Sequence, residues 1–375
     1  MATVILFTFY FAAKWHALFE LFLLSCQSNP SIDFAVFTNL TALPGLQPYS
    51  TIDNVRLIHY KELKDVGIPL NITLFDSYKL HDLKPIYAKL FKDVVKDYTF
   101  WGFVDNDMVF GSNLKSPAFL SQQLLAQADI ISATNSFCNG PFQLHRNKPL
   151  VNNLYERSPD LQLVLSSSNK SYGFDENHGT LKTPFPVVIW KQMKKGNLIR
   201  NTTAKHRVDD RFYFRSGAKK GFIWSPRTNP FLWNATSIYE IVDKSHPMFP
   251  GGGSSPSTPL SLVPIPLLHF ISWKRLDTFI STPVPASVID TIKSFSSLNQ
   301  QQRRHLGVII SCRGFFSLDL EAVRYLETAA ADDFSLDQLL DRAGYAETKP
   351  CAFDENNEFF YRRGRIPACR GIFKS

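Results

Sequence analysis

Two aspartates separated by one residue, Asp105 and Asp107, follow an apolar run in the stretch FWGFVDNDMVFGSNL (100–114). Carboxylates two residues apart on an extended backbone lie on one side of it, with their Cα atoms about 6–7 Å apart. Both can reach one hard divalent cation, and Mn²⁺ and Mg²⁺ prefer such oxygen ligands. Because a charged carboxylate is costly in apolar surroundings, the pattern favours a metal site, and a plain acidic turn is the alternative.

The segments that must position this pair alternate between strand and helix patterns. Residues 3–10 (TVILFTFY) form a continuous apolar run, which is typical of a strand covered on both faces. Helical spacing follows at 14–25, and 34–38 is a second strand pattern, so the three predict a parallel βαβ unit. Further strands are expected at 55–59, 100–104 and 130–133, and a mostly helical segment at 77–95. These elements predict an open, mostly parallel α/β sheet, in which ligands bind beyond the carboxyl ends of the strands.

The rest of the chain changes in composition near residue 276. Residues 251–266 (GGGSSPSTPLSLVPIP) are rich in Gly, Ser and Pro, which predicts a flexible insertion. Helical patterns and a basic tail follow. We therefore expect a domain that carries the chemistry at 1–276 and a mainly helical C-terminal appendage at 277–375.

The formal net charge of +8 favours anionic partners. The basic residues are scattered and form no nucleic-acid-binding motif, so we expect no nucleic-acid partner. The apolar stretch Trp15–Cys26 contains Glu20 and is too short to span a bilayer, and no signal peptide or anchor is expected. Glycosylation sequons, such as those at Asn39 and Asn71, suit a Golgi or secretory lumen. The missing leader suits the cytoplasm, so the compartment is left open.

Several motifs follow one another between residues 3 and 275. They are the opening strand with FAAKWHALFELFLLSCQSNPSIDFAVFTN (11–39), YKLHDLKPIYAKLF (78–91), the D-x-D segment, GPFQLHRN (140–147), YGFDEN (172–177) and HFISWK (269–274). The D-x-D segment with its Trp-Gly lead and the Lys-x-x-Asp-x-Lys-Pro stretch are the most specific pair. In this order the motifs resemble the GT-A superfamily of glycosyltransferases and, within it, an uncharacterised-domain family with a D-x-D motif.

The resemblance implies a GT-A-like fold with helices on both faces of the sheet. It also implies transfer of a sugar from a nucleotide-sugar donor, expected to be a UDP-sugar, to a hydroxyl of a carbohydrate or glycoconjugate. Mn²⁺ or Mg²⁺ on the donor diphosphate would be held by Asp105, Asp107 and His269, and Lys274 would neutralise the leaving diphosphate. The residues expected to bind the donor are Tyr10, Thr38, Lys79, Asp82, Lys84, Asn106, Arg146 and Lys274.

The acceptor hydroxyl needs a base if the configuration inverts, and Asp175 and Glu176 are the candidates. A helix N-cap or surface turn is the other interpretation of this pair. A second acidic pair, Asp209-Asp210, has charged neighbours that favour an exposed loop. Asn39 stands where the resemblance leads us to expect Asp, which leaves a catalytically inactive carbohydrate- or nucleotide-binding module as the alternative. A metal-dependent phosphoesterase is less favoured, because such sites gather several His and Asp ligands around two metals.

Overall fold

A computed structural model describes the main α/β layer with short gaps and the C-terminal part as separate short segments. The described residues are 2–10, 17–40, 53–59, 77–111, 114–115, 119–133, 141–167, 170–176, 180–202, 208–209, 211–215, 222–226, 231–234, 238–242, 261–265, 267–269, 287–288, 290–291, 307–311 and 314–318.

The described chain contains strands and helices with the following bounds. The strands are β1 (Val4–Tyr10), β2 (Asp33–Thr38), β3 (Val55–His59), β4 (Phe100–Val104), β5 (Met108–Phe110), β6 (Ile130–Ser132), β7 (Phe142–Arg146), β8 (Arg200–Thr202), β9 (Val208–Asp209), β10 (Arg211–Arg215), β11 (Phe222–Pro226), β12 (Phe231–Asn234), β13 (Ile238–Val242), β14 (Ser261–Ile265), β15 (Leu267–His269), β16 (Gly307–Ser311) and β17 (Gly314–Leu318). The α-helices are α1 (Ala17–Gln27), α2 (Ser77–His81), α3 (Tyr87–Leu90), α4 (Lys92–Val95), α5 (Gln122–Gln127), α6 (Pro149–Asn152), α7 (Leu161–Ser166) and α8 (Phe185–Lys194).

The main sheet has seven strands in the order β3-β2-β1-β4-β7-β6-β8. Strands β3, β2, β1 and β4 pair in parallel with one another, β7 runs antiparallel to both β4 and β6, and β8 is parallel to β6. The apolar run of β1 lies in the middle of the parallel part and is buried along almost its whole length. The predicted open, mostly parallel α/β sheet is therefore confirmed.

Each face of this sheet packs against a separate apolar cluster. On one face the aromatic rings of α1 meet the sheet and β5, where Phe22 and Phe110 have centroids 5.8 Å apart. On the other face α3 contributes Tyr87 and the residue after it contributes Phe91, whose ring stacks on Phe37 of β2 with centroids 4.3 Å apart. Alternate residues of β1 point into the two clusters, so the sheet is covered on both faces by helices, as predicted.

The centre of the sheet requires a glycine where β4 and β7 approach closely. A Cβ atom at Gly102 would overlap the carbonyl oxygen of Gln143 and lie 2.8 Å and 2.9 Å from side-chain atoms of Leu144 and Leu6. Only glycine leaves room for these neighbours. Glycine at this position lets β4, which ends one residue before Asp105, pair closely with β7.

The helical segment expected at 77–95 is interrupted. Helix α2 ends at His81, a 3₁₀ turn covers Lys84–Ile86, and α3 and α4 follow as short helices. Pro85 lies inside the turn, and proline has no N–H with which to continue an α-helical hydrogen-bond ladder. Within the described residues, no helix is long and apolar enough to cross a membrane.

The C-terminal segments change two of the sequence expectations. The last residues of the predicted flexible insertion form β14, which pairs with β13. Strands β16 and β17 lie in the predicted helical appendage, yet β16 pairs with β12, so one five-stranded sheet crosses the predicted boundary at 276. The division into two domains stays a prediction, and residues 334–343, one of the predicted helical stretches of the appendage, lie outside the described part.

Candidate functional site

The D-x-D pair lies where the sequence predicts it, at the carboxyl end of β4. The backbone N–H of Asp105 donates to the carbonyl of Pro141, with 2.9 Å between N and O. The Nδ2 of Asn106 donates to the carbonyl oxygen of Phe9 at 2.6 Å. The first bond ties the acidic loop to the residue before β7, and the second ties it to the carboxyl end of β1. The ends of the parallel strands β1 and β4 therefore lie beside this loop, in which Asp107 is buried.

A buried lysine, Lys84, connects Asp105 to a distant acidic residue. Its Nζ donates to Oδ1 of Asp105 at 2.7 Å and lies 3.0 Å from Oδ2 of Asp175. Burial acts to lower the pKa of Lys84, but the two carboxylates outweigh it and raise that pKa above its ordinary value. Lys84 therefore stays charged and holds two carboxylates that are far apart in sequence.

Asp175 belongs to the segment 171–176, which reaches the same end of the sheet. Its side chain is buried, and burial raises its pKa to about 7, while Lys84 acts in the opposite direction and Glu176 and Asp105 add to the rise. Glu176 is half-buried beside it. A carboxyl group that titrates near neutral pH is suited to accept a proton, and the role of Asp175 as a general base stays a prediction.

The backbone of His269 lies next to the acidic loop. Strand β15 pairs antiparallel with β5, and His269 is opposite Met108, the residue after Asp107. Directly paired residues in an antiparallel sheet have Cα atoms about 4.5–5.5 Å apart. A residue 162 positions further along the chain than Asp107 is thus placed beside it by strand pairing.

The donor set of this region suits a hard divalent cation. Asp105 and Asp107 supply carboxylate oxygens at one point of the chain, and the paired strand adds an imidazole residue. Among the side chains that the structure describes, no three His, Cys, Asp or Glu groups converge as a metal cluster. The side chain of His269 lies outside that description, so its part in a metal site stays a prediction.

Two residues predicted to bind the donor lie at the ends of the neighbouring strands. Tyr10 closes β1 and Thr38 closes β2, and the two are paired across these strands. Both are buried, and the hydroxyl of Thr38 accepts a hydrogen bond from the N–H of Leu40 at 3.2 Å. They form part of the carboxyl-end edge on which the acidic loop sits, while Lys274 lies outside the described residues.

Lys79 and Asp82 have contacts of a different kind from those that the sequence predicts. Both side chains are fully buried, and the Nζ of Lys79 is 3.0 Å from Oδ2 of Asp82. Lys79 also donates to the carbonyl of Val164. Binding of the donor by either residue stays a prediction, and the contacts that this buried pair makes in the described chain are with protein groups. The sequence pattern alone resembles an exposed helix face, so it could not show this.

Arg146 lies away from the acidic loop. Because β7 runs antiparallel to β4, Arg146 is paired with Phe100 at the amino end of β4, while Phe142 is paired with Val104 at the carboxyl end. The guanidinium donates to the carbonyls of Leu125, Ala126 and Ala128 and so caps the end of α5. The observed contacts of Arg146 are structural and lie at the end of β4 opposite Asp105, and its contact with the donor stays a prediction.

The structure also brings two residues to the site that the sequence analysis set aside or missed. Asp209 lies in β9, parallel to β15, and its backbone is paired with His269, so the loop expected there is a strand. His81 ends α2, with its Nδ1 3.8 Å from Oδ1 of Asp105. His81 and Lys84 are three residues apart, a spacing that places two side chains on one side of a helical turn. This spacing is the sequence signal that could have indicated that both contact the same residue, Asp105.

Comparisons with known proteins give low similarity to glycosyltransferase structures. Mouse xyloside xylosyltransferase 1 is 11% identical, with a TM-score of 0.33, over 54% of this chain and 84% of that one. The glycosyltransferase GlyE of Streptococcus pneumoniae is 12% identical, with a TM-score of 0.30, over 54% of this chain and 45% of that one. The PaToxG glycosyltransferase is 15% identical, with a TM-score of 0.29, over 52% and 70%. Scores this low leave the function to be argued from the chain's own residues.

No curated protein matches the chain. A protein-family model does match, over residues 6–249, which is more than half of the chain. The matched range includes the D-x-D loop, Lys84 and Asp175. The chain belongs to the family of unknown function DUF6625.

Proposed function

We propose that the chain is a metal-dependent glycosyltransferase that moves a sugar from a nucleotide-sugar, expected to be a UDP-sugar, to a hydroxyl of a carbohydrate or glycoconjugate. One observation supports this most: the D-x-D loop, the backbone of His269 and the buried Lys84 meet beyond the carboxyl ends of β1 and β4. Open α/β sheets bind ligands at that edge.

In this proposal Asp105, Asp107 and His269 hold Mn²⁺ or Mg²⁺. A bound divalent cation supplies stabilisation for the negative charge that develops on the departing diphosphate. Lys84 keeps Asp105 in place through its hydrogen bond of 2.7 Å. Lys274, the last residue of the HFISWK motif (269–274), adds positive charge on the leaving side in this proposal.

The reaction breaks the bond between the anomeric carbon and the diphosphate oxygen and forms one to the acceptor oxygen. In an inverting transfer the acceptor hydroxyl gives its proton to a carboxylate. Asp175 is our first choice, because its pKa of about 7 lets it accept a proton near neutral pH. Glu176 is more exposed and is the second choice.

The proposal is tested by nucleoside-diphosphate release from a panel of nucleotide-sugars, with Mn²⁺ or with EDTA. In the presence of Mn²⁺, wild type should release the nucleoside diphosphate from one nucleotide-sugar of the panel. Asp107→Asn should release it at least about 100-fold more slowly, as expected when a group that stabilises transition-state charge is removed. The matched control is Asp97→Asn, which changes an exposed aspartate on the loop before β4. Metal-dependent donor binding without release by wild type would favour the inactive binding module instead.

A further inference from the structure

We propose that Asp82 is a positioning residue for catalysis, which fixes the loop 171–176 and thereby places Asp175 against Lys84. The effect of Asp82 on catalysis rests on the proposed function. The anchoring of the loop by Asp82 rests only on hydrogen bonds within the described chain.

The carboxylate of Asp82 binds this loop through its backbone. Oδ1 accepts from the N–H of Phe174 at 2.8 Å, and Oδ2 accepts from the N–H of Tyr172 at 2.9 Å. The hydroxyl of Ser171 lies 3.5 Å from Oδ1. Hydrogen bonds from N–H groups to a carboxylate are among the stronger ones, and here water does not compete, because Asp82 is fully buried.

The loop is shaped so that two N–H groups point at one carboxylate. Gly173 lies between Tyr172 and Phe174 and has a φ of 62°, in the left-handed region that glycine adopts without strain. A residue with this conformation turns neighbouring N–H groups to the same side, which makes a concave anion-binding backbone. Asp82 occupies that concave backbone, so the loop cannot shift without breaking both bonds.

The charge of Asp82 is balanced by Lys79, whose Nζ is 3.0 Å from Oδ2. A buried carboxylate without a partner cation would be costly, and Lys79 offsets that cost. Lys79 in turn donates to the carbonyl of Val164 near the end of α7. The pair therefore joins α2, α7 and the loop into one unit.

The short segment 82–84 thus contacts both the loop 171–176 and the D-x-D loop. Asp82 fixes the backbone at 172 and 174, and Lys84, two residues later, contacts Asp175 and Asp105. The distance between the candidate base and the D-x-D loop is set through this segment. A displaced loop would leave donor binding intact and misplace the base.

The test compares Asp82→Asn with a control variant, Asn54→Ala. Asn54 is also buried and donates from Nδ2 to the carbonyls of Cys26, Asn29 and Ile32, none of which belongs to the loop. Hydrogen exchange at the amides of Tyr172 and Phe174 should be at least about tenfold faster in Asp82→Asn and unchanged in the control. Protected amides in Asp82→Asn would overturn the anchoring.

Kinetics then separate positioning from general destabilisation. The rate of donor cleavage is measured under conditions in which each variant is folded. Asp82→Asn should lower kcat at least about tenfold with donor KM nearly unchanged, and Asn54→Ala should leave kcat and donor KM unchanged. Equal kcat values in the two variants would overturn the catalytic role. Wild type without metal-dependent cleavage would overturn the proposed function, and hydrogen exchange alone would then decide the anchoring.

A second variant covers the case in which Asp82→Asn does not fold. Gly173→Ala keeps the Lys79–Asp82 pair but strains the loop at its positive φ. It should show the same selective loss of kcat. A Gly173→Ala enzyme with wild-type kcat and wild-type exchange at Tyr172 and Phe174 would contradict the proposal.

Discussion

Replacing Lys84 by methionine removes the cation that lies between two carboxylates. The side chain is 5% exposed, and the Asp105 and Asp175 side chains that it contacts are 16% and 3% exposed. Removing one partner of a buried ion pair costs about 3–5 kcal/mol, because the remaining charge is left in apolar surroundings. We expect Lys84→Met to lower the free energy of unfolding by this amount at pH 8.

The cost should depend on pH through Asp175. Its pKa of about 7 in the folded chain is above the ordinary value of 3.8, so the folded state binds the proton more tightly than the unfolded state does. That stabilisation is complete below about pH 4 and is lost as the pH rises through about 7. Lys84→Met raises this pKa further, so the loss continues above pH 7 at up to about 1.4 kcal/mol per pH unit. The variant's deficit should therefore be larger at pH 8 than at pH 6.

The assay is chemical unfolding at pH 6 and pH 8, followed by tryptophan fluorescence. The control is Lys89→Met, because Lys89 is 65% exposed and its pair with Glu156 is 3.7 Å long. Exposed pairs of this kind contribute about 0–1 kcal/mol. Equal unfolding free energies for the two variants at both pH values would refute the account of Lys84 as the buried link between the carboxylates.

Three further predictions concern other parts of the molecule. Gly102→Ala should lower the free energy of unfolding by about 3 kcal/mol, because its Cβ would overlap the β7 backbone. Gly196 has a φ of 71° and open space around it, so Gly196→Ala should cost about 1 kcal/mol in the same unfolding assay. Burial lowers the pKa of His145 to about 3, so the unfolded chain binds a proton at this residue at higher pH than the folded chain does. The free energy of unfolding should therefore fall as the pH drops below about 6.5, and His145→Phe should reduce the slope of unfolding free energy against pH in acid titrations. If Asp175 is the base, donor cleavage should rise with pH through about 7, and Asp175→Asn should remove both the rate and this pH dependence in steady-state assays.

The sequence predicts the parallel half of the sheet well, because the relevant patterns are local. The apolar run of β1 and the short apolar run of β2 need no information from distant residues to be recognised as buried strands. The position of Asp105 at the carboxyl end of β4 follows from the same kind of pattern. The position of the candidate site can therefore be predicted from sequence, since the carboxyl ends of parallel strands share one edge.

The parts that sequence analysis missed depend on partners far along the chain. Lys79 and Asp82 resemble an exposed helix face, and their burial arises from a loop about 90 residues later. Arg146 lies at the amino end of β4 because β7 runs antiparallel to β4, and no local pattern shows that direction. Strand β16 also depends on a distant partner, because its pairing with β12 joins residues about 75 positions apart.

The central claim is that the D-x-D loop binds a divalent cation together with a nucleoside diphosphate. The most direct measurement is a Mn²⁺ titration followed by electron paramagnetic resonance, with and without UDP, on wild type, Asp107→Asn and the exposed-site control Asp97→Asn. We predict one Mn²⁺ per wild-type chain that binds more tightly with UDP, loss of this binding in Asp107→Asn, and no change in Asp97→Asn. Mn²⁺ binding that is absent from wild type, or equal in all three proteins, would contradict the account.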